Sequence, residues 1–269
     1  MRDRDDGRGV LVHCHAGCTQ AELLAELRRI GLWDHGPPRK PKPRDPEEER
    51  RKIRWAQKIW KDSGPARQLS PPLYAPSTWK PTDTPVVVYL KGRGIRIPPP
   101  ESLRFHRGLY HADTKQRWPA MIAVVMDPIT QAFRGVHRTY LQRDGRGRLE
   151  HDAKKMLGPC SGGVVKLAAP IPGKPLMIGE GIETCLSAMQ LFKRPAWAVL
   201  AAGFFAHLEL PAEIDALEIL VDRDDDGVGE EKCREAAARW VSEGRTVELR
   251  LPPNGQDFND YLLQRRRKP

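Results

Sequence analysis

The chain has 269 residues, of which 39% are hydrophobic and 30% charged, with 25 Pro and 23 Gly. That length suits one large domain or two small ones, and the low apolar fraction implies that part of the chain is extended or loop-rich. The net charge of +10 is unevenly spread: residues 1–173 carry +14, residues 174–261 carry −8 and the remainder +4. A basic half joined to an acidic half is the pattern of a polyanion-binding surface beside a carboxylate cluster, and carboxylates near a polyanion need a divalent cation between them. No run approaches the ~18 apolar residues of a membrane helix, and MRDRDDGRGV has no apolar signal-peptide core. Both features argue against a secreted or membrane protein. Five scattered Cys (14, 18, 160, 185 and 233) argue against a disulfide framework and for a reducing cytoplasm.

Residues 10–33 form a first unit. VLVHC reads as a short strand, HAGC as a turn, and AELLAELRRIGLW as a helix. Thr19 is its predicted N-cap, Glu22 completes a capping box, and Leu23, Leu24, Leu27 and Ile30 share one stripe. Residues 34–85 are too rich in Pro and charge to pack as a core and read as a tether. Within it PEEERRKIRWAQKIWKD predicts one helix, started by Pro46 and a Glu run, with Ile53, Trp55, Ile59 and Trp60 available to dock on a neighbour.

Residues 86–173 predict a small basic α+β unit. VVVYL is short and apolar, and YLKGRGI ends an element. MIAVVMD and GVHRTYL read as strands around the turn PITQAFR, and RDGRGR reads as another turn. From 174 the pattern alternates regularly: strands PLMI, WAVLAA, LEILV and TVELRLP, with helices IETCLSAMQLF and GVGEEKCREAAARWVSEG between them. Such alternation implies an α/β domain with a parallel sheet flanked by helices.

The carboxylates of this last region fall at strand ends. Glu180 directly follows PLMIG, Asp222 ends LEILV, Asp224 comes two residues later, and Asp257 lies in GQDFND after the last strand. In an open parallel sheet, sites form at the carboxyl ends of strands. Two carboxylates at i and i+2 share a face of an extended chain, and Mg²⁺ takes one or two carboxylates plus waters and phosphate oxygens. VDRDDDGVG also starts like a calcium-binding EF-hand loop, but Cys233 stands where the twelfth-position Glu is required. GPCSGG has the glycine spacing of a Walker A loop, but Val164 stands in place of its Lys, so no motor motif is present in the sequence.

The set GEG at 179–181, DRDDDG at 222–227 and GQDFNDYL at 255–262 resembles a Toprim domain. More narrowly, it is similar to the DnaG-type primases of bacteria, phages and plasmids. The resemblance implies a catalytic set of Glu180 as general acid/base and Asp222 and Asp224 as ligands of Mg²⁺ or Mn²⁺, with Glu180 and Asp257 as further metal candidates. Gln256 stands where a basic residue is usual, and Glu183 matches an EGIET variant of phage and plasmid members, with no role carried onto it. Upstream, YLKGRGI, the paired strands and DAKKMLGP resemble the basic subdomain that holds template and nucleotide phosphates, which maps that role onto Arg138, Lys154 and Lys155. VHCHAGC resembles the second half of a primase zinc ribbon, with Cys14 and Cys18 as one ligand pair for Zn²⁺ and the first pair expected upstream of Met1.

These readings divide the chain into a partial zinc-ribbon-like segment and helix (1–33), a linker with one helix (34–85), the basic subdomain (86–173), the Toprim domain (174–262) and a basic tail (263–269). The function implied is primer synthesis on single-stranded DNA from nucleoside triphosphates, in the replication of a mobile element. The protein would be cytoplasmic, have no membrane partner and work beside a separate replicative helicase. A Toprim nuclease uses the same carboxylates, and a non-catalytic nucleic-acid-binding accessory is the third reading.

Overall fold

The computed structural model describes residues 2–3, 10–11, 19–30, 32, 45–67, 83–223, 227–253 and 255–267. The chain divides into two compact units, Met1–Arg44 and Asp45–Pro269. In the first, β1 (Arg2–Asp3) pairs antiparallel with β2 (Val10–Leu11), and α1 spans Gln20–Arg29. The capping box at its start is formed: Thr19 N donates to Glu22 Oε2 at 2.8 Å, and Glu22 N donates to Thr19 Oγ1 at 3.3 Å. Leu23, Leu24 and Leu27 are half-buried, while Ile30 is exposed.

The second unit begins with α2 (Pro46–Asp62), whose Asp45 side chain caps Glu47 N. The helix is docked on a sheet. Ala56 and Ile59 are buried against Leu109, Ala120, Ile122, Val136 and Tyr140, and Trp60 packs at the edge with the Arg104 guanidinium 4.0 Å from its ring. Trp55 points outward. That sheet has the order β3 (Gly64–Pro65), β4 (Leu103–His111), β5 (Gln116–Met126), β6 (Phe133–Tyr140), β7 (Lys154–Leu157), and all its pairs are antiparallel. The apolar run in β5 follows from burial on both faces: Ala120 and Ile122 face α2, while Met121, Ala123 and Val125 face the opposite core.

VVVYL is helical. Thr84 caps Val87 N, Pro85 opens α3 (Pro85–Gly92), and Val86, Val87, Tyr89 and Leu90 are all buried. A short helix apolar all round needs partners on every side, and α3 sits in the core shared by Met121, Ala123 and Val125 with Ile182, Cys185, Leu186, Phe258 and Leu262.

The last region is the expected α/β layer. Its sheet has the order β12 (Thr246–Arg250), β11 (Ala216–Leu220), β9 (Leu176–Gly179), β10 (Ala196–Ala198), β8 (Val165–Lys166). The first four strands are parallel and β8 is an antiparallel edge. Helices α4 (Ile182–Phe192) and α6 (Phe258–Arg267) pack with the shared core. Helix α5 (Val228–Ser242) covers the other face through Cys233, Ala236 and Trp240. The basic run Arg265–Arg267 forms the last turn of α6. Cys160, Cys185 and Cys233 are buried and form no disulfide. Among the described residues, no helix is long and apolar enough to cross a membrane.

Candidate active site

Strand β9 connects through α4 to β10 on one side, whereas its other neighbour β11 connects through α5 to β12 on the opposite side. The two connections leave in opposite directions, which opens a crevice at the carboxyl ends of β9 and β11, the switch point where open α/β sheets bind ligands. Gly179 and Leu220 are register partners there. Glu180 is the next residue of one strand and Asp222 lies two residues beyond the register partner on the other, so adjacent parallel strands bring both to the same edge of the sheet. Both are half-buried. Asp224 lies outside the described residues, as do Cys14 and Cys18.

Gly179 makes this approach possible. A Cβ there would lie 2.9 Å from Cys185 Sγ and 3.2 Å from Leu220 Cβ. Gly179→Ala is therefore expected to cost about 1–3 kcal/mol through overpacking. Adding Cys185→Ala removes the sulfur and is expected to recover most of that loss, which urea unfolding of the three variants measures.

The GQDFND loop is joined to the same edge, because Arg223 N donates to Gln256 O at 2.7 Å. Asp257 is half-buried, and its Oδ1 accepts from Asp260 N at 2.7 Å as the cap of α6. Asn259, to which the sequence assigned nothing, is fully buried. Its Nδ2 donates to Arg93 O at 2.7 Å and to Ser187 Oγ at 2.9 Å, tying α6 to α4 and to the loop after α3. Gln190 Nε2 holds Gly94 O of that loop at 3.0 Å. The segment YLKGRGI is thus bound down by the acidic domain, a long-range role with no local sequence signal.

The three mapped basic residues do not form one group. Arg138 and Lys155 are register partners on β6 and β7, and Thr139 pairs with Lys154. Adjacent residues of a strand point to opposite faces. Lys155 Nζ is ion-paired with Asp113, and Arg138 Nη2 donates to Met156 O at 2.9 Å. Lys154 Nζ instead contacts Glu183 Oε2 at 3.1 Å, while Tyr89 Oη donates to Glu183 Oε1 at 2.7 Å. Burial alone would raise the Glu183 carboxyl, but the Lys154 ammonium and the hydrogen bond from Tyr89 outweigh it and hold it at about 2.

His137, on the same face as Thr139, is 5% exposed, and burial lowers it to about 4 despite the nearby Glu183 carboxylate, with Lys154, Arg138 and Arg148 acting in the same direction as burial. Between the ordinary value of 6.5 and about 4 the unfolded chain binds a proton that the folded chain does not. Stability from this group is full above pH 6.5 and is expected to fall by about 3 kcal/mol as the pH drops through that window. His137→Leu is expected to flatten the change, as read by urea midpoints between pH 7 and 4.5.

Among the described residues no group of three His, Cys, Asp or Glu is placed to hold a metal ion. Glu180 and Asp222 nonetheless offer hard carboxylate oxygens at one strand edge, a donor set that fits Mg²⁺ with waters and phosphate oxygens completing it.

Residues 75–167 match a domain of unknown function, DUF7146, and residues 175–268 match the Toprim domain. No curated protein matches the chain. Among solved structures, the primase fragment of the bacteriophage T7 primase-helicase protein is similar at 16% identity and a TM-score of 0.43, covering 66% of this chain and 65% of that one. The zinc-binding and RNA polymerase domains of Aquifex aeolicus primase are similar at 15% identity and 0.40, covering 66% and 42%. A DNA primase domain from Pseudomonas aeruginosa is similar at 13% and 0.41, covering 68% and 56%. The chain thus spans less than two thirds of the length of each of these structures. The parallel sheet that brings Glu180 and Asp222 to one edge, with its flanking helices, is a Toprim domain.

Proposed function

We propose that the protein is a DNA primase-like nucleotidyltransferase that makes short primers on single-stranded DNA from nucleoside triphosphates. The observation that supports this reading is that Glu180 and Asp222 follow the carboxyl ends of two adjacent parallel strands in the region that matches the Toprim domain, with a basic antiparallel sheet tied to the same region. Glu180, Asp222 and Asp224 are the catalytic carboxylates. Asp222 and Asp224 would hold Mg²⁺, which when bound supplies charge neutralisation at the nucleotide phosphates. Glu180 accepts the proton of the attacking hydroxyl or orients the carboxylate pair. Asp257 belongs to the metal set only through whatever acceptor capacity its capping bond leaves. Arg138 and Lys155 grip phosphates, so binding to single strands weakens as salt rises.

A separate replicative helicase would move the DNA, in the cytoplasmic replication of a mobile element. Residues 86–173 and 174–262 are the working halves, and Cys14 and Cys18 are one ligand pair of a zinc ribbon. The test is labelled-nucleotide incorporation on single-stranded DNA with Mg²⁺ or Mn²⁺. Products longer than the input nucleotide support the reading. Shortened DNA without incorporation would transfer the site to a Toprim nuclease, which uses the same carboxylates. Binding to DNA with neither product would leave a nucleic-acid-binding accessory.

A further inference from the structure

Glu183 stands three residues after Glu180, and both its carboxylate oxygens are engaged, Oε1 by Tyr89 Oη at 2.7 Å and Oε2 by Lys154 Nζ at 3.1 Å. Its side chain is 6% exposed, against 39% for Lys154. The residue lies in the first turn of α4, whose N-cap Gly181 makes no side-chain cap. A helix start without a local cap is held by whatever grips its first turn. Here the grip comes from outside the Toprim domain, from α3 and from β7. A carboxylate in the first turn also suits the helix dipole.

We propose that Glu183 is a positioning residue for Glu180. It ties the first turn of α4 to Tyr89 and Lys154, and Lys154 thereby serves the acidic edge and not a nucleic-acid phosphate. Lys155, on the other face of β7, keeps the phosphate role. The catalytic part of this inference rests on the primer-synthesis reading, whereas the assignment of Lys154 does not.

The experiment compares full-length wild type, Lys154→Met, Glu183→Gln and the double variant, with circular dichroism to confirm folding. Lys154→Met strands a buried carboxylate in the first turn of α4, three residues after Glu180, and is expected to lower kcat on the order of tenfold to a hundredfold. The salt dependence of binding to a single-stranded oligonucleotide is expected to keep its slope. The double variant is expected to match Glu183→Gln within about threefold, because neutralising the carboxylate removes what Lys154 was needed for. A slope that falls by about one in Lys154→Met, with effects that multiply in the double variant, would identify a phosphate contact and overturn the proposal.

Tyr89→Phe removes one hydrogen bond and keeps the packing. It is expected to lower kcat several-fold with the nucleotide KM and the salt slope unchanged, and an unaltered kcat overturns the positioning role. A wild type that incorporates no nucleotide defeats the primer-synthesis reading alone. The salt slopes and the melting temperatures of the same four proteins still decide whether Lys154 and Glu183 act as a pair.

Discussion

Glu180→Gln is expected to lower nucleotide incorporation by about a thousandfold while leaving the thermal midpoint of the protein unchanged or slightly raised. The substitution keeps the size of the side chain and its place at the end of β9. It removes one negative charge from a sheet edge that also receives Asp222. Loss of a positioned acid/base group costs about 10²–10⁴ in rate, and exchanging a functional carboxylate for its amide commonly leaves stability unchanged or raised. The two roles open to Glu180 separate in a metal titration. A residue that orients the carboxylate pair is partly replaced by raising Mg²⁺ or Mn²⁺, and the lost rate returns with concentration. A residue that takes the proton is not replaced, and the deficit stays at saturating metal while the pH–rate profile loses its acidic limb. Incorporation at the wild-type rate in this variant would remove the Toprim crevice from the reaction.

The acidic half was legible because its signals are local. Strands Leu176–Gly179 and Ala216–Leu220 are short and mostly apolar, Thr246–Arg250 alternates polar and apolar residues, and helices Ile182–Phe192 and Val228–Ser242 lie between them. Strand ends then located Glu180 and Asp222 without any knowledge of the sheet order. The basic half was less legible. Strand β4 has no clean alternation, because a register shift between His106 and Leu109 breaks its period of two. The run Val86–Val88 has strand propensity, and it is helical because Thr84 and Pro85 start the helix and burial on all sides keeps it.

The pair Lys154 and Lys155 reads as one basic patch in the sequence. It separates once β7 is known to be a strand, since its neighbours then point to opposite faces. Asn259 and Gln190 carried no signal, because their partners Arg93 and Gly94 lie 166 and 96 residues away in the chain. The sequence shows which groups leave the strand ends, and the long-range hydrogen bonds show what the basic half is anchored to.

The largest loss of stability is expected at Gly158, where the chain leaves β7 for the Toprim sheet. Its φ of +105 is a conformation that side chains rarely adopt. A Cβ there would also lie 2.3 Å from Arg134 O and 2.9 Å from Gly135 Cα, and a Cβ on Gly135 would lie 2.3 Å from Leu157 O. Two backbones cross at these glycines, and a backbone carbonyl has no rotamer by which to yield. Gly158→Ala is therefore expected to cost about 3–5 kcal/mol, or roughly 10 °C in melting temperature for a unit of this size.

Gly173 supplies the control, because its φ is +70 and nothing lies within 4 Å of its Cβ position. Gly173→Ala is expected to cost only the backbone part, about 1 kcal/mol. The difference between the two midpoints isolates the collision from the dihedral. Equal shifts would mean that the crossing relaxes freely and that the basic sheet is not held at this point. A larger shift in Gly158→Ala, with single-strand binding weakened in the same protein, would mean that the placement of Arg138 and Lys155 depends on the close approach of Gly135 and Gly158.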